Sequence, residues 1–146
     1  MVKRCLDTPQ IESKLKAAGI QPTLQRIAIC RYVLCEADHP TAEQVLSWAQ
    51  EHLDKISQAT VYNTLGTLVE AGLLRALRLG HSDKVIYDHN VEPHHHFLDE
   101  SSGRLYDLPY DSVQVKASIP RRFQKSGFDL VIRGRVASGD YSKKSD

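Results

Sequence analysis

The sequence predicts an α+β chain in two parts, helices first and short strands after. Three observations carry this. Apolar residues recur at helical spacing up to about residue 71, and from Leu73 onward the pattern shortens to strand-like alternation. Five of the seven histidines fall within residues 81–96, where one part gives way to the other. The length of 146 residues suits one domain or two small ones.

The elements follow in order. Residues 11–18 read as a short helix ended by the turn chemistry of Gly19-Ile20-Gln21-Pro22. Thr23 caps a second helix, with Leu24, Ile27, Ala28, Ile29, Val33 and Leu34 as its apolar stripe, and Asp38-His39-Pro40 breaks it. Thr41 caps a third helix, close to capping-box form with Glu43-Gln44 in its first turn. Its inner face is Val45, Leu46, Trp48, Ala49 and Leu53. Ser57 caps a fourth helix over residues 58–71, stopped by Gly72, with Val61, Leu65, Leu68 and Val69 inside. Residues 73–79 and 84–87 then read as a hairpin around a turn at 80–83. Short helices, the last with a polar face, followed by a hairpin form the layout of a winged helix-turn-helix.

Residues 94–98 and 105–108 suggest a second hairpin around a turn at 99–103. Residues 120–127 read as one or two helical turns, Pro first and Gly last. Residues 128–136 are the strongest strand pattern in the chain. The expected organisation is a winged helix over 1–88, a hinge at 89–93, a small α/β domain over 94–137 and a flexible tail at 138–146.

Lys plus Arg is 19 and Asp plus Glu is 18, so the net charge is only +1. A bulk electrostatic signal for nucleic acid or membrane is absent, and any basic face has to be local. No apolar run approaches the roughly 18 residues of a membrane span, and the first ten residues lack a secretory apolar segment, so the expected location is the cytoplasm. The three cysteines, Cys5, Cys30 and Cys35, include no CxxC and make a poor disulfide or thiolate-zinc framework. Cys30 and Cys35 sit about 140° apart around a helix and read as inert thiols that do not bridge each other.

His39, Asp88, His94, His96 and Asp107 are the candidate metal ligands. His94 and His96 are two apart, so on a strand both imidazoles share a face, whereas His95 points the other way. Asp88 ends one hairpin, Asp107 lies in the strand expected beside the His run, and His39 sits in a sharp helix–helix turn. Imidazole and carboxylate without thiolate suit Mn²⁺, Fe²⁺, Zn²⁺ or Co²⁺. The plainer reading makes Asp88 and Asp107 turn and edge residues and leaves His52 and His81 in solvent.

The outer face of the fourth helix carries Gln58, Thr60, Tyr62, Asn63, Thr64 and Thr67, without Lys, Arg or Asp. Neutral hydrogen-bonding side chains on such a helix can read base edges and phosphates. The same composition could instead pack on another domain. Arg26, Arg75, Arg78 and Lys84 are local cations for phosphate contact.

AGIQPTLQR at 18–26, HPTAEQV at 39–45, SQATVYNTL at 57–65, AGLL at 71–74, YDHN at 87–90 and HHHF at 94–97 follow one another in order. Together, over about residues 12–136, they resemble the ferric uptake regulator (Fur) superfamily of metal-dependent transcription factors. The resemblance implies an N-terminal winged helix, a C-terminal α/β dimerisation domain and a homodimer that binds inverted-repeat operators in a metal-dependent way. It assigns the regulatory metal to His39, Asp88, His94, His96 and Asp107, the recognition helix to residues 58–69 with Tyr62 as base contact, and a phosphate contact to Arg26. Fe²⁺ or Mn²⁺ is the implied ion in the cell, with Zn²⁺ able to substitute in vitro.

Three departures matter. The CxxC pairs that hold structural zinc in many members are missing, their positions falling on Asp99 and Ser102 and near Val136 and Tyr141. Pro93, Gln114 and Phe128 stand where ligands of a further site would be, leaving His95. Gln21 replaces a basic residue of the minor-groove contact. The missing CxxC, HHHF, YDHN and the closing VIRGR look most like the iron response regulator branch, whose His run is implicated in haem binding, here His94, His95 and His96. Asp88 and Asp107 look more like the peroxide-sensing branch. The expected function is a non-enzymatic repressor of iron, haem or oxidative-stress genes. The alternatives are a peroxide sensor acting through iron-catalysed oxidation of a ligand histidine, or a small metallohydrolase, against which stands the absence of HExxH.

Overall fold

The first helix, α1 (Thr8–Ala17), starts three residues before the apolar periodicity does. The Asp7 carboxylate accepts the Gln10 N–H at 2.8 Å and the Gln10 side chain accepts the Asp7 N–H at 2.9 Å. This reciprocal cap satisfies two orphan donors, and Pro9 sits where a helix start tolerates it. At the other end Gly19 takes φ 75°, and Ile20 N–H returns to the Leu15 carbonyl at 2.8 Å, closing the helix in the left-handed way that glycine permits.

The computed structural model describes residues 5–79 and 82–138. The chain divides into two compact units, one running to Val91 and the other beginning at Glu92.

In the first unit α2 (Leu24–Arg31) is capped by Thr23 and then loosens into a π-helical turn, Tyr32–Glu36. The single helix expected through residue 34 therefore changes pitch at Tyr32, closing with Ala37 N–H on the Tyr32 carbonyl at 2.8 Å. α3 (Ala42–His52) carries a full capping box between Thr41 and Gln44. α4 (Gln58–Glu70) is capped by Ser57. Val61, Leu65 and Leu68 of α4 have no exposed surface and pack with Ile11, Leu15, Ile29, Val33 and Val45 in one core. Burying each such side chain is worth about 1.5–3 kcal/mol. The core thus fixes which face of α4 is left outside.

β1 (Arg75–Arg78) and β2 (Val85–Asp88) pair antiparallel, with Arg75 opposite Asp88 and Arg78 opposite Val85. Between them the turn expected at 80–83 lies partly outside the described residues. β2 is also sewn to the start of α3: Thr41 bridges Ile86, and Tyr87 N–H donates to the Pro40 carbonyl at 2.8 Å. The loop holding His39 is thereby tied to the strand ending at Asp88.

The second unit is a three-stranded sheet in the order β4-β3-β5. Central β3 (His94–Asp99) pairs antiparallel with β4 (Leu105–Pro109) and parallel with β5 (Val131–Gly134). Of the strand expected over 128–136, only these four residues join the ladder. The helical turns expected over 120–127 are reduced to one turn closed by Phe123 N–H on the Pro120 carbonyl at 3.0 Å. Residues 114–127 are all exposed, so no buried face supplies the packing that most helices need. A 3₁₀ turn at Tyr110–Ser112, which nothing in the sequence suggested, follows β4 instead. The expected tail lies, past Ser138, outside the described residues. Among the described residues no helix is long and apolar enough to cross a membrane.

Candidate metal centre and nucleic-acid interface

Each unit builds its own group of metal-type donors. In the first, His39 occupies the turn between the π-helical segment and α3 with φ 47°, a left-handed conformation that non-glycine residues seldom adopt. Such conformations persist where the surroundings over-determine them, and they concentrate at functional positions. The ring is held from both sides. Nδ1 lies 2.8 Å from the Asp38 carboxylate, and Nε2 lies 3.5 Å from Asp88 Oδ2. Asp88 is fully buried at the end of β2, and its Oδ1 accepts the Asn90 N–H at 2.9 Å. Asp38, which sequence reasoning treated only as a helix breaker, is the residue that orients His39. Its place directly before a histidine in a Pro-containing turn was the available signal.

In the second unit the period of two along β3 puts His94 and His96 on one face, with Nε2 atoms 3.0 Å apart. Asp107 stands directly across from His96 in the β3–β4 register. Its Oδ1 is 3.4 Å from His94 Nε2 and 3.5 Å from His96 Nε2. His94 Nδ1 lies 2.7 Å from the Glu92 carbonyl. A carbonyl only accepts, so His94 Nδ1 donates to it, and the bond turns Nε2 toward the group. Both imidazoles are nearly buried while Asp107 is partly open. Two imidazole nitrogens and a carboxylate converging on one point form a donor set that a divalent cation of intermediate hardness fits.

The alternation along β3 divides the histidine run. His95 lies on the opposite face, fully buried, stacked on Tyr110 and Phe128 at centroid distances of 5.1 and 5.3 Å. Neither of its ring nitrogens has a hydrogen-bond partner among the described residues. The haem set expected from His94, His95 and His96 is therefore not one convergent group. Phe128 supplies a ring against His95. His52 closes α3 through its Nδ1, 2.8 Å from the Trp48 carbonyl, and stacks on Trp48. His89 is half-buried beside Asp88 in the chain, and His81 lies outside the described residues.

The outer face of α4 presents Gln58, Tyr62 and Asn63 to solvent, with Thr60 and Thr67 half-buried. Thr64 corrects the expected list of DNA-facing residues. It is 2 % exposed, and its hydroxyl is turned back onto the Thr60 carbonyl at 2.7 Å. It stands beside Leu65 and Leu68 on the core side, and a threonine buried in a helix satisfies its hydroxyl by this backward bond. Thr67 makes the same bond to the Asn63 carbonyl at 2.5 Å. Thr60 shares a hydrogen bond with Ser57, 2.9 Å between hydroxyls, at the helix start. Arg26 donates to the Gln21 carbonyl at 2.8 Å and so braces the turn before α2. Arg75 is half-buried opposite Asp88, whereas Arg78 and Lys84 are exposed on the hairpin.

The cysteines differ from one another. Cys30 is buried among the core residues, and desolvation pushes its thiol up to about 12. Cys35, in the π-helical turn, accepts the Leu6 N–H at 3.3 Å, and Cys5 is exposed.

Residues 17–132 match the ferric uptake regulator family. The peroxide-responsive repressor PerR of Staphylococcus aureus (strain Mu50) is 35 % identical over 101 residues, which cover 69 % of this chain and 68 % of the relative. Among solved structures, the Vibrio cholerae ferric uptake regulator superposes with a TM-score of 0.65 at 23 % identity, covering 86 % of this chain and 98 % of the other. The Pseudomonas aeruginosa ferric uptake regulator with manganese does so at 0.61 and 23 %, covering 94 % and 100 %. The α+β architecture is that of these regulators. The chain belongs to the ferric uptake regulator family, of metal-responsive transcription regulators rather than enzymes.

Proposed function

We propose that the protein is a repressor that binds inverted-repeat DNA as a homodimer when a divalent cation is held by His39, Asp88, His94, His96 and Asp107, Fe²⁺ or Mn²⁺ in the cell. The observation that carries this reading is the division of the donors: an oriented His39–Asp88 pair in the first unit and an oriented His94–His96–Asp107 group in the second. A bound cation would supply the positive charge that balances the Asp88 and Asp107 carboxylates. The chain's own residues do the rest. Asp38 holds His39 and the Glu92 carbonyl holds His94, so little ordering entropy is left for binding.

In this reading Gln58, Tyr62 and Asn63 of α4 face the bases, while Arg26, Arg78 and Lys84 meet phosphates, with Arg75 and Thr60 at the margin. Metal binding would be coupled to the spacing of two recognition helices, about 34 Å for successive major grooves. A coupling of about 1–3 kcal/mol corresponds to a 5–150-fold change in DNA affinity. The test is selection of a binding sequence from randomised duplexes with Mn²⁺, then titration of that duplex with and without the ion. Equal affinity in both overturns the reading. The expected location of such a regulator is the cytoplasm.

Peroxide sensing is the second reading, favoured by the 35 % identity to PerR and by aspartates, not glutamates, at 88 and 107. Its signature is one added oxygen on His39 or His94 after Fe²⁺ loading and exposure to hydrogen peroxide, read by peptide mass spectrometry. Unmodified histidines would leave metal sensing alone.

A further inference from the structure

One thiol pair is used by neither the metal donors nor α4. Leu6 N–H donates to Cys35 Sγ at 3.3 Å, which brings the backbone beside Cys5 onto the π-helical turn. Cys5, bonded directly to Leu6, is thereby set beside Cys35; its thiol faces the Leu6 carbonyl at 3.7 Å and is exposed to solvent. Cys30 lies in the core, out of reach of reagents. The thiol that solvent reaches thus stands one residue from the backbone N–H bonded to the Cys35 sulfur.

We propose that Cys5 and Cys35 are a reversible disulfide site, closed by exchange with a low-molecular-weight disulfide. The Cys5 thiolate attacks one sulfur of the small disulfide, the S–S bond breaks, and one small thiolate leaves. The Cys35 thiolate then attacks the Cys5 sulfur of the mixed disulfide and expels the second. Two electrons pass from the protein pair to the small disulfide, and the two protein protons end on the released thiols. Closure joins the N-terminal segment to the turn three residues before His39's neighbour Asp38, across a loop of about 30 residues, where a cross-link removes unfolded-state freedom.

The surroundings also set the rate. The neighbouring Cys35 side chain, then desolvation, raise the Cys5 thiol above its usual range, against a smaller lowering by Arg31. The attacking thiolate is therefore scarce at neutral pH, and closure accelerates as pH rises.

The experiment equilibrates the full-length protein with reduced and oxidised glutathione, alkylates the remaining thiols and maps the peptides. The expected product is a Cys5–Cys35 cross-linked peptide lacking two hydrogens, reversed by dithiothreitol, with Cys30 unreacted. C30S should close as the parent does, and C35S should stop at a Cys5–glutathione adduct. Glutathione persisting on Cys5 of the parent without the cross-link, or a Cys5 bridge only between two chains, overturns the proposal.

Discussion

His96 and Asp107 face each other across the β3–β4 ladder, with Nε2 and Oδ1 3.5 Å apart. Register alone makes them neighbours, because directly opposed residues in an antiparallel pair share a face. Two substitutions separate their contributions. H96A removes a nitrogen donor, and D107N keeps the shape while removing the charge. Both should weaken Mn²⁺ binding at least about 10-fold by calorimetry, the scale on which disturbed ligand sets lose metal. Unaltered affinity in both variants would exclude this face of β3 from the metal chemistry.

Asp38 should matter although it is outside the donor group. Its carboxylate fixes the His39 ring through Nδ1 at 2.8 Å, in a residue already held at φ 47°. Removing such an orienting group usually costs 10–100-fold in metal affinity. D38A should show that loss while far-ultraviolet circular dichroism and the urea midpoint stay close to the parent's, since Asp38 is half-exposed. A loss of fold with no separate loss of affinity would make Asp38 a turn former only.

How much of this was legible in the sequence depended on which force set each element. The Ser57 cap and the Val61-Leu65-Leu68 stripe mark α4 because one core contact face dictates its pattern. The sharing of a face by His94 and His96 follows from the strand period alone. The π-helical turn at Tyr32–Glu36 leaves no such mark, because a widened turn preserves nearly the same buried stripe. α1 began earlier than its apolar residues because Asp7 and Gln10, two polar residues, define its start. In the second unit, residues 114–127 bury nothing, so periodicity had nothing to report. Asp38 and the Glu92 carbonyl escaped because orienting bonds depend on loop geometry, which a linear pattern does not contain.

Thr64 and Asn63 are adjacent on α4 but should respond oppositely. T64V replaces a buried hydroxyl, bonded to the Thr60 carbonyl, by a methyl of similar size. Its effect should fall on stability, by about 0.5–1.5 kcal/mol, with DNA affinity retained. N63A removes an exposed amide from the outer face and should cost about 1–3 kcal/mol of discrimination between the selected duplex and a scrambled one. Chemical unfolding and fluorescence-anisotropy titration report the two effects. A DNA-binding defect confined to T64V would mean that the groove-facing side of α4 has been misassigned.

Asp99 closes the second unit where the family resemblance places cysteines. Its carboxylate accepts from Ser101 N–H at 3.0 Å, Ser101 Oγ at 2.7 Å and Ser102 Oγ at 2.6 Å. One anionic group thus braces the β3–β4 turn, which Glu100 N–H joins to the Gly134 carbonyl of β5 at 2.8 Å. Hydrogen bonds from Ser101 and Ser102 hold its pKa at about 2, below the ordinary 3.8. A carboxylate depressed in the folded state contributes stability that is complete above its unfolded pKa and is lost as pH falls through the folded one. D99N should therefore lower the urea midpoint of the second unit most at pH 5–7. The gap between variant and parent should narrow below pH 4 and nearly vanish near pH 2, where the parent's own carboxylate takes up a proton. A gap of constant size between pH 2.5 and 7 would show that the side chain acts through its shape and not through its charge.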